Sequence, residues 1–103
     1  MKIESIGEVI AERELDGQLN GKACKVVVRF GKPFQDADDK SCWYCAYSIT
    51  TDNGERLFYG AGLDSLQALR IAIFNVGAEL TTLYSNLNLK WAGEDELGFS
   101  SNL

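Results

Sequence analysis

The residues able to do chemistry are few. Cys42-Trp43-Tyr44-Cys45 carries two thiols at the spacing of redox and zinc motifs, and the loop Gln35-Asp36-Ala37-Asp38-Asp39-Lys40 and the run Glu94-Asp95-Glu96 each gather three carboxylates. Histidine is absent. With it go the commonest general base, the usual partner of a nucleophilic serine or cysteine, and the commonest metal ligand. The two thiols need a turn or a helix start to converge on one ion or one disulfide. Their neighbours are strand formers, and an offset of three along a strand sends side chains to opposite faces, so ordinary strand cysteines are expected. The acidic loop lacks the turn glycine and distal glutamate of a calcium loop, and the glycines follow no nucleotide-cradle pattern. No catalytic residue, metal or cofactor is predicted. An enzyme working with Asp36, Asp38, Asp39, Tyr44 or Cys45, and a thiol switch of Cys42 with Cys45, are the lesser alternatives.

The elements that must hold these residues fit into one domain, 1–103, since 103 residues are too few for two ordinary cores. Fifteen acidic residues stand against ten basic ones, for a net charge of −5 and a pI near 4.6. That balance opposes phosphate backbones and anionic membranes, and nucleic acid is not an expected partner. No apolar run approaches the roughly 20 residues a bilayer needs. An acid at the fourth residue and the lack of an apolar signal core point to the cytoplasm, where an odd count of three cysteines reads as reduced thiols.

A first strand is expected over about Gly7 to Leu15, with Ile10 out of step, and a turn over Asp16 to Gly21. In the second strand Cys24, Val26, Val28 and Phe30 alternate with Ala23, Lys25, Val27 and Arg29, and Gly31-Lys32-Pro33 ends it. A third strand runs from Cys42 to Thr50, and Asp52-Asn53-Gly54 turns the chain. A three-residue loop would set Ile49 opposite Leu57, Tyr47 opposite Tyr59 and Cys45 opposite Ala61, which collects the apolar pairs on one face. A helix capped by Asp64 and Gln67 then continues to about Tyr84. Its core stripe is predicted to be Leu66, Leu69, Ile73, Val76, Leu80, Leu83 and Leu87, with Gly77 admitting close approach to the sheet. Trp91, Leu97 and Phe99 mark the tail as an ordered strap. The expected fold is α+β: two layers, a four-stranded antiparallel meander with one long helix on one face.

Such a domain leaves Tyr44 and Phe58 on the far sheet face and Ile71 and Phe74 on the outer side of the helix. The strap can cover one of these surfaces, so the other is a candidate interface. This favours a non-enzymatic protein-interaction module, with a protein partner or a second copy in a homodimer. The alternative is an immunity-type protein that neutralises a basic toxin by electrostatic steering.

Gly62-Leu63-Asp64-Ser65-Leu66-Gln67-Ala68-Leu69, Cys42-Trp43-Tyr44-Cys45, Trp91-Ala92-Gly93 and Leu97-Gly98-Phe99 together resemble a family of small bacterial domains of unknown function. The resemblance implies a bacterial cytoplasmic protein. It carries no catalytic or binding residues onto this chain.

Overall fold

The structure, a computed structural model, describes residues 3–99. Five antiparallel strands make one sheet: β1 (Val9–Leu19), β2 (Lys22–Gly31), β3 (Phe34–Gln35), β4 (Trp43–Thr51) and β5 (Gly54–Gly62). Helix α1 (Ser65–Thr82) and a 3-10 turn at Ser85–Leu87 follow. Residues 47–50 of β4 pair with both β2 and β5, which therefore occupy opposite edges of β4; β3 pairs Phe34 with Tyr44 on the β2 edge. The meander is the expected one with an extra piece. β2 ends at Gly31, as expected, and β3 resumes the pairing with β4 beyond Pro33, one residue out of register, because proline has no N–H for the ladder.

Local chemistry accounts for the first hairpin. Asn20 and Gly21 both have positive φ, 54° and 80°, as a two-residue type I′ turn requires. β1 consequently runs on through residues 16–19, which the sequence reading gave to the turn. The pairing shifts between Val9 and Ala11, and this bulge is why Ile10 breaks the alternation. Leu15, Val26, Val28 and Phe30 are buried on one face, as the β2 pattern predicts.

The β4–β5 register differs from the expected one. Ile49 pairs with Arg56, Tyr47 with Phe58 and Cys45 with Gly60. The slip of one residue inverts β5: Phe58, Gly60 and Gly62 share the face of Tyr47, while Leu57, Tyr59 and Ala61 share the face of Tyr44. The reason lies in the helix. A Cβ on Gly60 would stand 2.4 Å from the Ala72 amide nitrogen, and one on Gly62 2.6 Å from that of Ala68. Helix backbone rests directly on strand backbone, which only glycine on β5 allows.

Residue types at the helix start dictate its cap. The Gln67 N–H donates to Asp64 Oδ1 at 2.7 Å, and Gln67 Oε1 accepts from the Leu63 N–H at 2.7 Å. The buried stripe is Ala68, Ala72, Val76 and Leu80, which shares Val76 and Leu80 with the expected stripe but is centred on the alanines. Leu66 and Leu83 are 72% and 57% exposed, Leu69 and Ile73 are half-buried, and Leu87 is buried in the 3-10 turn. Gly77 meets the strap, with the Phe99 carbonyl 2.6 Å from where a Cβ would stand, and not the sheet.

The strap takes the rest of that sheet face. Asp16 and Lys90 exchange backbone hydrogen bonds of 2.9 and 2.7 Å. Arg13 donates to the Leu97 carbonyl at 3.0 Å and lies 3.7 Å over the Trp91 ring. Phe99 packs against Phe30, centroids 6.5 Å apart. Helix over β4 and β5, strap over β1 and β2, together close one side of the sheet. Among the described residues, neither the far sheet face nor the outer side of the helix is covered by it, contrary to the expectation that it would shield one of them. At the helix's other end, the Tyr47 hydroxyl and the Arg56 guanidinium both donate to the Glu79 carboxylate. The Glu79 side chain is only 13% exposed, so this charge is paired where it leaves water.

The contact between glycine and alanine carries a direct test. Gly60→Ala is expected to lower stability by about 1–3 kcal/mol through overpacking, read as a fall in the urea midpoint. Ala61→Val, one residue away on the opposite and exposed side, is expected to leave the midpoint within about 0.5 kcal/mol. Equal effects at both positions would contradict the close approach.

Candidate interaction surface

α1 has 18 residues and two charged ones, Arg70 and Glu79. Glu79 is spent on Tyr47 and Arg56. With Ala72 and Val76 against the sheet, the rotation of about 100° per residue places Gln67, Ile71, Phe74, Ala78 and Thr81 within about 80° of one another on the opposite side. All five are exposed. Ile71 is 36% and Phe74 40% accessible, so the expectation that these two sit outside the core stripe is met by the geometry. The stripe follows the helix for about 21 Å and includes no carboxylate.

Tyr44 and Phe58 do not share a face. Tyr44 is half-buried on the outer sheet face; Phe58, 43% exposed, is on the helix side. Tyr59 joins them. Its ring centroid is 5.3 Å from that of Tyr44, edge to face, and 4.8 Å from that of Phe58. Rings on opposite faces of a strand meet at this distance only around its free edge, so Phe58 and Tyr59 shield the unpaired side of β5. Edge strands left bare invite uncontrolled pairing, and bulky cover prevents it. Phe34, 5.6 Å from Tyr44, extends the row across the outer face. The row reads as edge protection with an aromatic outer surface, and the helix stripe as the more open of the two.

The sequence reading missed Tyr59, because the register error turned β5 over, and Phe34, because no strand was expected beyond Pro33. It also missed Thr81 as a surface partner of Ile71 and Phe74. A signal was present: a surface helix with so little charge on its outward side is unusual. Asp64 and Gln67 are cap residues, as read.

Cys45 lies in the core, where burial pushes its thiol up to about 11, far from the reactive thiolate range. Cys42 hydrogen-bonds the Tyr44 phenol on the other face. In the acidic loop Asp36 accepts the N–H groups of Asp38 and Asp39, both at 2.9 Å, and Asp39 accepts from Ser41. Its carboxylates organise a turn. Among the described residues no group of three or more Cys, Asp or Glu is arranged to hold a metal, and no helix is long and apolar enough to cross a membrane.

This arrangement belongs to a class of small α+β domains to which no activity is assigned. The chain is a member of the family described as Domain of unknown function (DUF6968), whose model matches residues 11–101. No curated protein and no solved structure gives a match.

The phenols allow a pH test. The hydrogen bond with Cys42, then loss of water contact, push Tyr44 up to about 12 from 10.0. Burial, then the hydrogen bond to Glu79, raise Tyr47 further. Both hold their protons more tightly folded than unfolded. Their stabilisation is complete below pH 10; that of Tyr44 is lost as the pH rises through about 12, and that of Tyr47 at higher pH still. Tyrosinate absorbance should therefore appear at higher pH in the native chain than in urea-unfolded chain, and Tyr47→Phe should narrow the gap. Coincident native and unfolded curves would contradict these assignments.

Proposed function

We propose that this protein is a non-catalytic interaction module whose working surface is the outward face of α1. One observation carries the reading: Gln67, Ile71, Phe74, Ala78 and Thr81 form an exposed stripe with no acidic residue, on a chain of net charge −5. Acidic side chains are distributed over the strands, loops and tail, where they keep the rest of the surface soluble. Two large apolar side chains on an otherwise uncharged stripe give a partner area to bury, with exposed Arg70 at its flank and no carboxylate to desolvate. Fixed by its cap and by the seat on β5, the helix presents this stripe with little ordering cost.

The test compares two versions of the protein as bait under identical conditions. Phe74→Asp alters a side chain outside the buried core, so folding by circular dichroism should be unchanged. The wild type is expected to retain a protein, whether another chain or its own copy, that the variant loses at least tenfold. Identical retained sets for the two baits would refute the reading.

A further inference from the structure

Resting on that reading, we infer that the occupant of the α1 stripe is a second copy of this chain, its helix lying antiparallel across a two-fold axis near Phe74. The spacing Gln67, Ile71, Phe74, Ala78, Thr81 runs four, three, four, three, the interval of helices that pack along their length. Reversed about a point just beyond Phe74, the stripe matches itself to within about half a residue, as a two-fold interface demands. Large Ile71 falls against small Ala78 of the copy, Phe74 against Phe74, and the Gln67 amide against the Thr81 hydroxyl. A parallel pair would instead put Ile71 on Ile71 and Ala78 on Ala78, overfull at one level and empty at the next.

Charge points the same way. Two chains of −5 repel, yet no carboxylate stands on the stripe, and the helix's one acid is turned inward to Tyr47 and Arg56. The first turn of α1 holds no acidic residue and the last turn no basic one. The helix start already has the Asp64 carboxylate as its cap, so it is the uncompensated negative helix end that an antiparallel neighbour sets beside a positive helix start. The aromatic row is a poorer seat, because Phe58 and Tyr59 close the edge that a strand from a second copy would use. One helix pair about 21 Å long covers less than the roughly 800 Å² per partner of standard interfaces, so the dimer is weak and concentration-dependent.

Sedimentation equilibrium over a wide range of concentration, on wild type and three variants, decides the matter. The wild-type mass should rise from one chain toward two. Ile71→Ala alone and Ala78→Ile alone should each weaken association at least tenfold. The double swap should restore it, since alanine at 71 then meets isoleucine at 78 of the copy. A monomer at every concentration overturns the inference, as does a dimer indifferent to the single changes or a swap that fails to rescue. If the protein stays monomeric while the Phe74-dependent capture above succeeds, only the second copy is lost as occupant. If both fail, the interaction reading falls as well.

Discussion

Backbone contact between α1 and β5 is the constraint on which the rest depends. Gly60 and Gly62 offer no side chains, Ala68 and Ala72 offer one carbon each, and the helix settles onto the strand as closely as two backbones allow. That seat fixes the rotation of the helix. Alanines face the sheet, Leu69, Ile73 and Gly77 face the strap, and the stripe through Ile71 and Phe74 is turned outward. A helix seated on its leucines would have buried Leu66 and Leu83 and shown a different exterior.

The strap follows from the same placement. A helix pressed against the edge strand covers β5 and β4 and leaves Leu15, Val26, Val28 and Phe30 without a lid. The chain after the 3-10 turn supplies one. Leu87, Leu89, Leu97 and Phe99 add to the core, and Arg13 serves as the post around which Trp91 and Leu97 are held. One side of the sheet is thereby closed by two unlike pieces.

Much of this was legible in the sequence. The β2 alternation, the long helix, the Asp64 and Gln67 cap and the ordered tail can all be read from spacing, because each is a local pattern with a local cause. The register of β5 was not. Large apolar residues ordinarily mark the buried side of a strand, and Leu57, Tyr59 and Ala61 looked like the core face on that rule. Here the buried side carries two glycines, a signal of close backbone approach that becomes readable only once the helix is known to lie above them. The same inversion moved Phe58 to the helix side and hid the part played by Tyr59. The outward positions of Ile71 and Phe74 were found for a different reason: both lie far enough from any plausible core stripe that a modest error in its direction does not bury them.

The account's central claim is that seating the helix on glycine leaves its outward stripe open for association. Amide and methyl chemical shifts of the full chain, followed on dilution, test it most directly. Signals from residues 67, 71, 74, 78 and 81 should move together along one binding curve while those of the core and the acidic loop stay fixed. Shifts that are flat throughout, or confined to Phe34, Tyr44 and Tyr59 on the far side of the sheet, would contradict it.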